Sequence, residues 1–201
     1  MEASNPEQYP DTHHDTYSKT LFGFWLYLMT DFILFGSLFA IWAVLRNNTF
    51  GGPGSQDLFS LSWNLFQTFL LMFASFTGGV GGAYAHRNEK NRCLSWFLIT
   101  AALGIGFLIM QTMEFARLIE AGHTWKGSGF LSAFFTLVGT FWAHIIFAVL
   151  FTFIIIWPVW RGDRDIGLRN LTRLTCLRQF WQFLFVVWIF IFTIVYLLGA
   201  K

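Results

Sequence analysis

Five apolar stretches, Leu21 to Leu45, Leu61 to Ala85, Cys93 to Ile119, Phe130 to Trp157 and Leu174 to Ala200, dominate the sequence. Each exceeds the roughly 20 residues that carry a helix across a hydrocarbon core about 30 Å thick. Within lipid every backbone N–H and C=O needs an internal partner, which leaves helices or a closed barrel. Alternating strands of about ten residues, the mark of a membrane barrel, are not visible. The expected fold is therefore an all-α, polytopic bundle of five transmembrane helices forming one domain over residues 21–201. Residues 1–20 are read as a polar tail, because Glu2, Glu7, Asp11, Asp15, His13 and His14 accompany a single base, Lys19. That composition suits no secretory or mitochondrial presequence.

Composition agrees with the pattern: 55% of residues are hydrophobic and 12% charged, against roughly a quarter charged in a soluble domain. A net charge of +2 points to neither nucleic acid nor an acidic substrate. The placement of bases says more than their sum. If the five spans alternate, Lys19, Arg87, Lys90, Arg92, Arg161, Arg164, Arg169, Arg173 and Arg178 fall on one side, and Arg46, Arg117, Lys126 and Lys201 on the other. Bases accumulate on the cytoplasmic side, so the N-terminus is expected in the cytoplasm and the C-terminus in the periplasm. Gly51-Gly52-Pro53-Gly54 breaks the helix between the first two spans.

Charge inside lipid is costly, so acids within the spans are candidates for function. Asp31 and Glu114 are those acids. At a rise of 1.5 Å per residue Asp31 lies about 15 Å into its span, with Tyr27, Thr30 and Ser37 beside it. His144 reaches a similar depth on a Ser132, Thr136, Thr140, His144 stripe, so an Asp31–His144 contact is allowed. One reading has these groups hydrogen-bonding between helices to fix packing. A second makes them a proton-handling site, since histidine changes charge near neutral pH. Contact with a lipid headgroup or ligand is a third. Glu114, near the end of its span, has Arg117 at i+3 and Gln111 one turn earlier, which favours a local ion pair with Arg117. Gly78 and Gly82 in the second span, with Gly104 in the third, are expected to let helices approach closely.

Haem and copper centres gather several His, Cys or Met side chains. His13, His14, His86 and His123 lie outside the spans, and His144 alone supplies no axial pair. Cys93 and Cys176 stand at ends of apolar runs and read as small apolar residues. No catalytic, cofactor-binding or metal-binding set is expected in this chain.

Several segments together resemble subunit III of the haem-copper oxidases, most closely the five-helix form of bacterial bo-type ubiquinol oxidases. They are Phe22-Gly23-Phe24-Trp25-Leu26-Tyr27-Leu28-Met29-Thr30-Asp31, Gly51-Gly52-Pro53-Gly54, Ser128-Gly129-Phe130-Leu131-Ser132-Ala133-Phe134-Phe135, Val186-Val187-Trp188-Ile189 and Val195-Tyr196-Leu197. The resemblance implies an accessory subunit without redox centres in the respiratory electron-transport chain. It would sit in a bacterial inner membrane beside the catalytic haem-copper subunit I and other subunits of a terminal oxidase that oxidises ubiquinol, reduces oxygen to water and transports protons. Haems and copper would belong to the partner. Bound phospholipid is expected, with roles in assembly and in sustaining proton uptake. Asp31 after Thr30 occupies the family's acidic position in its first shared span. Elsewhere the pattern departs. Phe141 replaces the first of two histidines in the fourth span while His144 keeps the second; Trp181-Gln182-Phe183 and Phe185 replace a Trp-His-Phe run and a following acid; Gln111 stands for a Glu. The other functional class compatible with the spans is a small proton channel or transporter using Asp31 and His144, but the inverted repeats or paired broken helices of transporters are missing from the sequence.

Overall fold

A computed structural model describes residues 12–51, 61–162 and 166–197, with side chains from residue 17. Five helices follow one another: α1 (Thr12–Leu45), α2 (Leu61–His86), α3 (Lys90–Glu120), α4 (Gly129–Arg161) and α5 (Leu168–Ile191). The last runs on into a π-helical turn, Phe192–Leu197. All five are long and apolar enough to cross a membrane, and no strand occurs among the described residues. Helix α1 begins at Thr12, so the expected polar tail is helical over residues 12–20. Residues 1–11, Gly52-Pro53-Gly54 and residues 198–201 fall outside the described residues.

The helix ends have local causes. Gly122, at φ +83°, follows α3; its N–H reaches Ile119 O at 3.0 Å and that of His123 reaches Leu118 O at 2.9 Å. This is the Schellman closure, which places a residue in the left-handed region just past the helix. Asn88, at φ +60°, closes α2 the same way: Glu89 N donates to Tyr84 O and Asn88 N to Ala85 O, both at 3.1 Å. Ser128 caps α4, its hydroxyl accepting from Leu131 N at 3.1 Å.

Helices α2 and α3 form an antiparallel hairpin; α5 packs on α2 and α4, α4 also packs on α3, and α1 lies against α4 and α5. Lys90, at the start of α3, donates to the free carbonyls of Trp160 and Gly162 at the end of α4, at 3.1 and 2.7 Å. Cations suit this helix end, where carbonyls lack intrahelical partners. Lys90→Met is expected to lower stability by about 1 kcal/mol, read as a small fall in the thermal midpoint.

The buried seams repeat at steps of three and four residues: Leu28, Asp31, Phe35 and Trp42 on α1; Asn64, Gln67, Leu71, Ala74 and Gly78 on α2; Phe97, Ala101, Gly104, Phe107, Gln111 and Glu114 on α3. Two adjacent helices inserting such seams bring a stripe of each into contact. Along these stripes the polar residues collect into two places.

Candidate functional site

The first place lies between α1 and α4. Asp31 is buried on the α1 seam, and its Oδ2 sits 3.8 Å from His144 Nε2. Phe35, one turn further along α1, covers the imidazole with ring centroids 5.1 Å apart. The Tyr27 phenol lies against the same carboxylate. The other polar neighbours are engaged with their own backbone. Thr30 donates to Tyr27 O at 2.6 Å and Ser37 to Leu34 O at 2.7 Å. On the α4 stripe, Thr136 donates to Ser132 O at 2.7 Å, and Ser132 to Trp125 O. These hydroxyls therefore do not form a chain along α4.

His144 Nδ1 is 2.8 Å from Thr140 O. A carbonyl only accepts, so Nδ1 carries a hydrogen and Nε2 is the nitrogen that faces Asp31. At 3.8 Å the two groups stand at ion-pair separation rather than hydrogen-bond distance. Asp31 Oδ2 is buried and has no hydrogen-bond partner among the described residues.

The second place joins α2, α3 and the π turn. Gln111 Nε2 donates to Glu114 Oε2 at 3.0 Å, and the Tyr196 hydroxyl donates to the same oxygen at 3.4 Å. The side chains of Asn64 and Gln67 face this carboxylate from α2. Helix register explains the meeting. Buried Thr77 and Thr100 touch across the hairpin, Oγ to Oγ 2.8 Å. Moving back along α2 from Thr77 and forward along α3 from Thr100 by steps that differ by a single residue brings Asn64 and Gln67 alongside Glu114 and Gln111. The expected ion pair between Glu114 and Arg117 does not form. Glu114 turns into the bundle, where Gln111 and Tyr196 serve it, while Arg117 is exposed. Asn64, Gln67 and Tyr196 are site residues that charge-based reading passes over, because none is ionised.

The glycines differ. A Cβ at Gly78 would meet only ordinary contacts at 3.6 to 3.8 Å, whereas at Gly82 it would lie 2.5 Å from Arg178 Cδ and at Gly104 2.5 Å from Trp181 Cη2. Cys93 and Cys176 are buried thiols. Among the described residues no three His, Cys, Asp or Glu side chains converge as a metal site would require.

Residues 4–200 match the family described as cytochrome c oxidase subunit III. The chain belongs to that family. It is 43% identical over 190 residues to the cytochrome bo(3) ubiquinol oxidase subunit 3 of Pseudomonas aeruginosa, covering 94% of this chain and 90% of the relative. It is 39% identical to the cytochrome c oxidase subunit 3 of Bacillus sp. strain PS3, covering 88% and 84% respectively. With the cytochrome bo(3) ubiquinol oxidase subunit 3 of Buchnera aphidicola subsp. Baizongia pistaciae it shares 37% identity, covering 91% and 93%. Five membrane-crossing helices and this family make the chain a multi-pass membrane protein.

Within this subunit III chain, the departures from the expected pattern have visible fillings. Phe141, where the resemblance expects a histidine, is wholly buried among Phe35, Phe107 and Trp188, with centroids 6.2, 5.9 and 5.2 Å away. An aromatic cluster stands where a titratable group was expected, and it packs against the ring that covers His144. Gln111, standing for a Glu, donates to the retained Glu114, a bond that a second carboxylate would exchange for repulsion.

Proposed function

We propose that this chain is the accessory subunit III of a respiratory quinol oxidase, holding no redox centre and seated beside the haem-copper catalytic subunit of a bacterial inner membrane. The observation that carries the reading is similarity along nearly the whole chain to a ubiquinol oxidase subunit 3, at 43% identity. The cytochrome c oxidase relative shares 39% identity, so the choice of ubiquinol rests on the bo-type relatives together with the five-helix form. The electron donor would bind other subunits, as would the haems and copper. The nine bases that alternation gathers on one side support a cytoplasmic N-terminus and a periplasmic C-terminus.

The chain's own part is structural. Aromatic and apolar side chains such as Phe22, Phe32, Ile33 and Val44 remain exposed along α1, a surface for lipid acyl chains and neighbouring subunits. An apolar hollow between α1 and α5, lined by Trp25, Leu28, Met29, Gln179, Gln182, Phe183 and Val186, suits a phospholipid chain. Asp31 and His144 face each other between α1 and α4, a polar contact that helps to hold the two helices together.

Purification from the native membrane in mild detergent tests the reading. Haem absorption bands and oxidase subunits are expected to accompany the chain; a colourless oligomer that conducts protons after reconstitution would establish the channel class instead. For the Asp31–His144 contact, Asp31→Asn keeps a group able to donate and accept, whereas Asp31→Leu removes the polar group that faces His144 Nε2. Asn is expected to leave recovery of the complex near the parent level and Leu to reduce it about tenfold, corresponding to about 1.4 kcal/mol. Equal losses would show that charge, rather than hydrogen bonding, joins α1 to α4.

A further inference from the structure

The Glu114 cluster contains more hydrogen-bonding capacity than its protein partners use. Asn64, Gln67 and Gln111 are all completely buried. Both side-chain polar atoms of Asn64, both of Gln67 and Oε1 of Gln111 have no hydrogen-bond partner in the protein. Asn64 and Gln67 face the Glu114 carboxylate, but neither amide closes a hydrogen bond onto it. Native interiors rarely leave so many buried groups unmet, since each costs free energy comparable to a lost hydrogen bond.

We propose that Asn64, Gln67, Gln111, Glu114 and Tyr196 form an internal water-binding site that joins α2, α3 and the terminal π turn. The chemistry of the unpartnered atoms selects the ligand. Three are carbonyl oxygens that need a donor, and two are amide nitrogens that need an acceptor. A metal cation would satisfy the oxygens and leave both nitrogens unmet. Water donates and accepts, and a buried water is held by two to four polar groups such as these. Leu71 on α2 and Phe107 on α3, one turn from Gln67 and Gln111, belong to the buried apolar core.

The π turn completes the site. An α-helix closes bonds at i+4 and a π turn at i+5, so the wider turn shifts the direction of the side chains after it. Over Phe192–Leu197 that shift accompanies a Tyr196 that is 2% exposed and reaches Glu114 Oε2. Tyr196 also rests on Phe134 and Trp188, centroids 6.1 Å away in each case, which fixes its ring. The last turn already packs on α2; bound water would add a polar link from Glu114 and Tyr196 to the amides of that helix.

The test uses the intact complex purified from its membrane. A density map that resolves ordered solvent is expected to show water within about 3 Å of at least two of the five unpartnered atoms. Amides rotated directly onto Glu114, with no solvent density, would overturn the site. The Asn64→Leu, Gln67→Met double variant supplies the second reading. Replacing unmet amides by apolar groups of similar shape is neutral or stabilising, but removing water ligands strands the remaining polar atoms. A fall in the thermal midpoint of about 4 °C is expected. An unchanged or higher midpoint overturns the proposal, as does a parent midpoint that depends on replacing sodium or potassium by choline, which would identify a cation site. If the variant fails to assemble, the parent map alone decides.

Discussion

Gly104→Leu is expected to destabilise the bundle by about 3 kcal/mol and to deplete the chain from the purified complex. The cause is the side chains that α5 and α4 place against α3 at this glycine. A Cβ at position 104 would stand 2.5 Å from Trp181 Cη2 and 3.1 Å from Val149 Cγ2. Trp181 cannot swing aside cheaply, because its ring is 1% exposed and its Nε1 donates to Thr152 Oγ1 at 3.1 Å. Interiors packed at crystal-like density absorb such an intrusion only by shifting a side chain off its rotamer or moving a helix. Gly78→Ala is the contrasting variant, since its new methyl would meet Thr100 and Trp181 at ordinary distances. Thermal unfolding of the two variants in the complex distinguishes a helix-contact glycine from a glycine with room to spare. Equal midpoints would show that α5 is free to move away from α3.

Glycine spacing alone favours Gly78 and Gly82 as a pair, yet the atoms that stand over Gly82 and Gly104 come from Arg178 and Trp181 on α5. Spacing identifies a face along one helix; it does not say which partner side chain fills that face. The five spans were legible because lipid imposes one requirement on every backbone group, and that requirement leaves a long apolar run in the sequence. Their ends were less so. Asn88 and Gly122 stop α2 and α3 by left-handed conformations that apolar patterning does not register. Asp31 and His144 could be paired by depth because both are unusual in lipid. Glu114 was equally visible, but its partners were not. Local spacing favours Arg117, whereas the hairpin register set by Thr77 and Thr100 brings the neutral Asn64 and Gln67 alongside. The signal that could have found them is two amides at i and i+3 inside an apolar span, a pattern that needs a polar partner as surely as a charge does. The π turn that accompanies Tyr196 left no comparable trace.

The second large effect concerns Phe141. Truncation to alanine removes the ring that lies against Phe35 of α1, Phe107 of α3 and Trp188 of α5 at once. Lipid tails are as apolar as these side chains, so helix association here rests on packing more than on escape from water. A cavity at a junction of four helices forfeits that packing for each of them. Phe141→Ala is expected to cost about 4 kcal/mol, whereas Phe153→Ala on the same helix, where the ring is 44% exposed, should cost far less. The position also tests what neutralisation of the expected histidine accomplished. Phe141→His restores the pattern implied by the family, but the imidazole would enter a wholly buried aromatic site beside Phe107 and Trp188. It should destabilise the bundle, though less than alanine, because it retains a ring while burying unmet nitrogen atoms. A histidine variant as stable as the parent would mean that a polar partner reaches this depth.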